Sequence, residues 1–443
     1  MTNARKTALN ILLKIENDGA YSNLILNHEI KKDNLTSLDT ALCSALVYGV
    51  LERKILLDYI IRQYTTIRLK KIEKTVLTIL RMGIFQILFM DKIPDSAVVN
   101  ESVKLAKNLR LNKSSGFINA VLRNFIRKDY QYALPDRSQN TWLYYSVVYS
   151  LPENMVKLWV NAYGEKIAVD IMENLMGRVP VYIKVNTLKT NTQTLQQSFS
   201  EHGIQADLIY GDNTLVLQHT GSVENMTEYQ QGLFHIQDIS SQICCELLQV
   251  KENMTVYDFC SAPGGKTFTI AEIMNNSGKV YAFDKYDHKV KLIQNGADRL
   301  GITNIHTKVR NALSDDDLPL ADRVLCDVPC SGLGIIRRKP EIRYKNNLGL
   351  DTLPELQYAI LCNCSKYVKN NGILIYSTCT LNPAENENNV KKFLQEHLDF
   401  QPLNITLNSD IIRKIDTMEN AVTLLPTKNG SDGFFISTFI RKS

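Results

Sequence analysis

The chain carries nine cysteines, and no two of them stand in a CxxC spacing. An odd count without such pairs excludes a complete disulfide framework and lacks the signature of a zinc site. A reducing cytoplasm is therefore the expected compartment, and no metal is expected. Long apolar runs are missing too. The longest, Ile84 to Met90, is far too short to cross a bilayer, and the residues before Ala8 are polar, without the core of a signal peptide. No membrane role is expected. There is no phosphate-binding P-loop either: Gly265-Lys266-Thr267 resembles the end of one, but Cys260 stands where such a loop needs glycine. What remains is ordinary globular material, 44% apolar and 22% charged, and its 443 residues suggest about three domains.

The net charge of +5 conceals an uneven distribution. Residues 1–130 hold 21 Lys and Arg against 12 Asp and Glu, which leaves the rest of the chain at −4. A basic amino-terminal third suits a polyanion such as nucleic acid, although a solvated lysine-rich helical surface would look the same by charge alone. Helical periodicity runs through this third. Ala4, Ala8, Ile11, Leu12 and Ile15 mark one face; Ser37 and Asp39 are candidate caps for a helix striped by Leu42, Leu46, Val47, Val50 and Leu51. Ile72 to Met90 is apolar nearly all round and belongs in the middle of a bundle. Pro94 ends it, and Asp95 or Ser96 starts the next helix. A last helix turns Phe117, Val121, Leu122 and Phe125 inward and leaves Arg123, Arg127 and Lys128 outside. From Leu80-Arg81-Met82-Gly83 to Pro94, at Val98 to Val103 and at Phe117 to Arg123, the segment 1–132 resembles the NusB-like RNA-binding fold.

Pro135 to Asn140 reads as a linker. Residues 142–232 mix two short helical patterns with strand-like runs such as Val181 to Val185 and Thr214 to Leu217. They suggest a small α+β module, RRM-like but without the aromatic signature of a true RRM.

Residues 233–443 alternate strand and helix signals, as a doubly wound, Rossmann-like α/β sheet requires. Thr255 to Phe259 is an expected strand that breaks at Cys260-Ser261-Ala262-Pro263-Gly264-Gly265-Lys266-Thr267 and resumes as helix. A glycine-bearing turn there lets backbone approach a nucleotide-like ligand at a helix amino terminus. Asp284, ending the next strand, is placed to accept hydrogen bonds from ribose hydroxyls, or else caps the following helix. Two further apolar runs, Arg323 to Cys326 and Gly372 to Tyr376, are each followed by a thiol, Cys330 and Cys379. Free cysteine is usually a small buried hydrophobe. Two thiols beyond the carboxyl ends of adjacent strands are different, because ligands bind at that edge. A soft thiolate adding to C6 of a pyrimidine turns C5 into an enamine-like carbanion, so a thiol pair beside a nucleoside-binding loop implies a methyl donor, S-adenosylmethionine. Either thiol could attack.

The stretches Asp258 to Thr267, Asp327-Val328-Pro329-Cys330-Ser331-Gly332 continuing to Tyr344, and Tyr376-Ser377-Thr378-Cys379-Thr380 resemble the RNA cytosine-C5 methyltransferases. With the NusB-like arm in front, the whole chain is similar to their Sun/Fmu branch, which methylates cytosine 967 of 16S rRNA. The resemblance implies that Cys260, Ser261, Ala262, Pro263, Gly264, Gly265 and Lys266 hold the methionine part and adenosine, and Asp284 the ribose. It places Asp327 between cofactor and base, makes Cys379 the nucleophile and gives Cys330 a part in product release. The implied partner is 16S rRNA, naked or in an early small-subunit particle. No feature demands a dimer.

Three departures stand out. Arg310-Asn311-Ala312 occupies the place of a usual acidic residue near the adenine, where the Asn311 amide oxygen can still accept from the adenine amino group. Glu341 and Tyr344 replace the commoner Asp and Trp. Lys184 stands where Arg is usual and cannot fork two bonds to a phosphate. Arg123 and Arg127 on the last basic helix are expected to hold RNA backbone, and Arg337, Arg338 and Arg343 to grip phosphates near the site, although a solvated basic loop would look the same. A thiol of ordinary pKa is only about 3% thiolate at pH 7, a handicap of roughly 2 kcal/mol, and Lys266 is the candidate cation to reduce it. The target base must be unpaired or flipped. Methylation of tRNA, or a non-catalytic RNA-binding assembly role, are the competing readings.

Overall fold

The computed structural model describes residues 4–218, 220–315, 317–345, 348–407, 412–428 and 430–443. The chain divides into two compact units. The first is helical: α1 (Ala4–Asp18), α2 (Ser22–Lys32), α3 (Ser37–Gln63), α4 (Lys74–Phe89), α5 (Asp95–Asn108), α6 (Asn112–Arg127), α7 (Thr141–Tyr149), α8 (Glu153–Tyr163) and α9 (Glu165–Asn174). Helix α4 is the central one. Every residue from Val76 to Gln86 is buried, so a sequence apolar on all sides loses its whole surface to neighbours. Gly49 of α3 lets this happen, since a Cβ there would lie 1.9 Å from the Phe85 ring. The one cation in the buried stretch, Arg81, is held by Asp58 at 2.7 Å and Glu16 at 3.2 Å. Thr36, not Ser37, caps α3: its hydroxyl accepts from the Asp39 amide at 3.2 Å.

Helices α7–α9 fall within the compact helical unit. Helix α3 departs from helical geometry at Arg53, and the Ile55 amide donates to Ser150 Oγ at the end of α7 (2.9 Å). The chain from Ile336 through Tyr344 also returns to this unit. There Glu341 accepts from the Ser22 amide at 3.0 Å, and Ile342 and Arg343 are buried.

The second unit holds two sheets. The smaller is built from β1 (Val181–Val185), α10 (Thr192–Glu201), β2 (Gln205–Tyr210), β3 (Thr214–Gln218), α11 (Thr227–Gln230) and β4 (Phe234–Ile236), in strand order β2-β3-β1-β4, all antiparallel. This βαββαβ arrangement encloses Ile183, Val185, Leu195, Phe199, Leu215 and Phe234. It extends past Gly232, because β4 is needed to complete the sheet.

The larger sheet follows α12 (Ile239–Leu247). Its elements are β5 (Thr255–Phe259), α13 (Gly265–Ile273), β6 (Lys279–Asp284), α14 (Asp287–Leu300), β7 (Ile305–Val309), β8 (Ala321–Asp327), α15 (Leu353–Ser365), β9 (Val368–Thr378), α16 (Glu387–Glu396), β10 (Phe400–Pro402), β11 (Lys414–Met418), β12 (Ala421–Leu424) and β13 (Phe434–Arg441). The order β11-β12-β13-β9-β8-β5-β6-β7 puts five parallel strands together, with β13 antiparallel beside β9. Strand order reverses between β5 and β8. A doubly wound sheet opens its ligand crevice at that point, beyond the carboxyl ends of the strands.

Candidate active site

The predicted cofactor loop lies at this switch point. Leaving β5, the chain turns with Cys260 at φ +61°, passes the cis Ala262–Pro263 bond, and enters α13 through Gly264 at φ +111°. Gly264 cannot be replaced cheaply: a Cβ would meet the Phe268 ring at 2.5 Å, in a backbone conformation that side chains resist. Ser261 secures the turn to β6, its amide and hydroxyl both donating to the Phe283 carbonyl at 2.9 Å. Asp284 ends β6 and accepts from the amides of Ala262 (3.4 Å) and Tyr286 (3.2 Å). Asn311 is exposed just beyond β7, and its amide oxygen accepts from the Leu313 amide at 3.1 Å.

Lys266, one residue into α13, donates to Asp327 Oδ2 at 2.7 Å, and Ser377 Oγ donates to the other oxygen at 2.8 Å. Burial works against the ammonium, but Asp327 holds Lys266 above its usual range. Near the end of β5, buried Asp258 accepts from Thr267 Oγ1 at 2.6 Å on one oxygen, while the other has no hydrogen-bond partner among the described residues. Burial pushes its carboxyl up to about 7, with the Thr267 bond opposing.

The Cys330 and Cys379 sulfurs stand 3.0 Å apart, joined from the loops that follow β8 and β9. Both are partly exposed. The hydrogen bond to Cys379, then burial, raises Cys330 well above the ordinary thiol range. The other cysteines are held differently. Cys244, Cys245, Cys326 and Cys364 are core residues, and burial, opposed by the Lys266 charge, pushes Cys244 up to about 12.

The predicted phosphate-gripping residues do not behave alike. Arg123 and Arg127 project from the exposed face of α6, with Arg123 held to Asn119 at 2.9 Å. Arg337 and Arg338 are partly exposed. Arg343 is a correction: it is 1% exposed and donates to the Leu175 carbonyl at 3.0 Å, so no phosphate reaches it. Its side chain fastens the returning segment inside the helical unit. Lys184 is likewise buried and bonded to Asn213. Sequence reasoning missed Asp258, Ser377 and Glu385. A serine two residues before a strand-terminal cysteine lies on the same side of the strand as that cysteine, which was the available signal for Ser377.

A switch-point loop with a left-handed glycine, an acidic second-strand terminus and two apposed thiols gather at the carboxyl edge of a Rossmann-like sheet. Comparison with known proteins gives the class, a methyltransferase. Residues 245–440 match the family described as 16S rRNA methyltransferase RsmB/F, residues 2–127 the NusB family, and residues 151–224 the ferredoxin-like domain of the RsmF/B-like methyltransferases. The Probable ribosomal RNA small subunit methyltransferase B of Bacillus subtilis (strain 168) is 35% identical over 449 residues, covering 100% of this chain and 99% of its own. The protein of the same description from Synechocystis sp. is 31% identical, covering 99% of each chain. Among solved structures, PH0851 superposes with TM-score 0.82 at 22% identity over 100% of this chain and 99% of its own. A methyltransferase homolog from Pyrococcus horikoshii gives 0.58 at 26% identity over 69% and 99%. The chain belongs to the RsmB (Sun/Fmu) family of S-adenosylmethionine-dependent small-subunit ribosomal RNA methyltransferases.

Proposed function

We propose that this protein methylates C5 of a cytosine in 16S rRNA, at the position-967 type of site, through a covalent bond from Cys379 to C6. The observation that carries this reading is the 3.0 Å approach of the two sulfurs beside the Lys266–Asp327 pair.

The residues present fit the methyl donor. Asp258, Asp284 and Asp327 lie at or near the ends of three adjacent strands; Lys266 pairs with Asp327 at 2.7 Å, Lys289 lies 3.8 Å from Asp284, and among the described residues one Asp258 oxygen has no hydrogen-bond partner. Three carboxyl groups with one unfilled acceptor suit a ligand that bears an ammonium and ribose hydroxyls. The loop Cys260 to Lys266 would hold its methionine part, Asp284 its ribose and Asn311 its adenine. S-adenosylmethionine supplies an electrophilic methyl group.

The chain's own groups do the rest. The Cys379 thiolate forms a bond to C6, and its electron pair displaces the ring electrons that make C5 nucleophilic. Asp327 accepts from the cytosine amino group, and the adjacent Lys266 ammonium offsets negative charge developing on the ring. C5 takes the methyl group, a base removes the C5 proton, and the C6–sulfur bond breaks to return the Cys379 thiolate. Cys330, 3.0 Å away, is placed to assist that release. Arg123, Arg127, Arg337 and Arg338 would hold RNA backbone while the unpaired base enters. Naked rRNA or an early small-subunit particle would be the partner, which places the work in the cytoplasm.

The test is transfer from labelled S-adenosylmethionine to small-subunit rRNA, to an early particle and to tRNA, taken from cells lacking the gene. Label recovered as 5-methylcytosine in rRNA supports the proposal. Label in tRNA alone, or in no substrate, overturns it.

A further inference from the structure

The two cysteine loops are held together by more than their own contact. Glu385 lies in Leu381-Asn382-Pro383-Ala384-Glu385-Asn386, just after Cys379, and is 0% exposed. Its Oε2 accepts from the Ser331 amide at 2.9 Å and from Gln357 Nε2 at 2.8 Å. Its Oε1 accepts from Ser331 Oγ at 2.5 Å and from Asn382 Nδ2 at 3.0 Å. Ser331 follows Cys330 directly, and its hydroxyl also meets that of Thr380, the residue after Cys379, at 2.7 Å. Gln357 reaches back to the Pro329 carbonyl at 3.0 Å, and Tyr376 OH donates to the carbonyl of Glu385 itself at 2.6 Å.

Burying a carboxylate costs free energy unless its lone pairs are filled. Here five donors reach them, the fifth being Thr380 Oγ1 to Oε1 at 3.5 Å; all are neutral, and among the described residues none is a lysine or arginine. An amide could not replace it fully, having one acceptor oxygen where the carboxylate has two. The donors come from both thiol-bearing loops and from α15 behind them.

We infer that Glu385 is the positioning residue of the thiol pair, fastening the Cys330 loop to the Cys379 loop while keeping a negative charge beside Cys330. This rests on the reading of Cys379 as nucleophile and Cys330 as its assistant in release, which requires both sulfurs to address one pyrimidine ring at once. Displacements near 1 Å in such arrangements cost about 100-fold in rate. Among the described residues, the titratable or charged groups that act on Cys330 include Cys379, Glu385 and Tyr376.

The test uses the full chain with Glu385→Gln and Glu385→Ala. Three readouts are taken: the rate at which diamide oxidises Cys330 and Cys379 to a mapped disulfide, the pH profile of Cys330 alkylation by iodoacetamide, and single-turnover methyl transfer. In the oxidation the two thiols give up two electrons and two protons, and diamide becomes the hydrazine. Glu385→Gln, matched in size, should move Cys330 alkylation about one pH unit lower and slow methyl transfer about 100-fold. Glu385→Ala should slow disulfide formation about tenfold as the loops part. A folded variant that oxidises as fast as the parent, with the Cys330 profile unmoved, overturns the inference. Should Glu385→Ala not fold, the Glu385→Gln profile alone decides. If the thiol readouts shift as stated while the parent transfers no methyl group to any RNA, Glu385 positions the pair and the proposed reaction is what fails.

Discussion

Lys266 and Asp327 meet at 2.7 Å across the switch point, joining the first helix after the cofactor loop to the end of β8. The pair is largely enclosed, so removing one partner leaves the other charge in poor solvent. Lys266→Met should lower stability by about 3 kcal/mol in urea unfolding, and adding Asp327→Asn should recover part of that loss. Either single substitution should abolish methyl transfer. Equal stability of parent and Lys266→Met would show that the pair contributes little.

The two sulfurs should be separable by their products. Cys379→Ala should give no labelled RNA and no adduct. Cys330→Ala should still add to the base and accumulate a protein–RNA species that survives a denaturing gel, because release is impaired. The reverse pattern would exchange the two roles.

Asp258 gives a pH signature. Its carboxyl, ordinarily near 3.8, is raised to about 7 in the fold by burial. The folded chain therefore holds this proton more tightly than the unfolded chain. Its contribution to stability is complete below pH 4, falls as pH rises toward 7, and stays lost above that. Asp258→Asn keeps the side chain neutral throughout. Urea unfolding should find the variant close to the parent at pH 4 and a few kcal/mol more stable at pH 8, with weaker binding of S-adenosylmethionine. A constant difference across that range would contradict this.

For the arginines, salt dependence discriminates. Arg123→Ala with Arg127→Ala should weaken binding to rRNA and reduce the slope of log affinity against log salt by about two. Arg343→Ala should leave the slope alone and cost about 1–3 kcal/mol of stability, since a buried bond to the Leu175 carbonyl is lost. Filter binding at several salt concentrations, together with urea unfolding, separates the two cases.

Much of this was legible in the chain. Helix α4 announced itself by apolar residues on every side, and β5, β8 and β9 by short apolar runs ending in loop formers. The thiols were visible because each follows such a run. What was not legible depended on contacts distant in sequence. Arg343 stands in a stretch of arginines and lysines and looked like a surface residue; only the carbonyl of Leu175, 168 positions earlier, shows why it is buried. Glu385 was one acid among many amides, and its value lies in donors from three separate segments.

The return of Ile336 through Tyr344 to the helical unit has a consequence for the order of synthesis. The amino-terminal unit is not finished when its ninth helix leaves the ribosome. Its buried Glu341, Ile342 and Arg343 are translated only after about three quarters of the chain has been made. Until then the amide of Ser22 and the carbonyl of Leu175 wait for partners encoded in the catalytic half. A nascent chain truncated anywhere before that point carries an arm without its final piece, so completion of the arm certifies that the cofactor loop has already emerged.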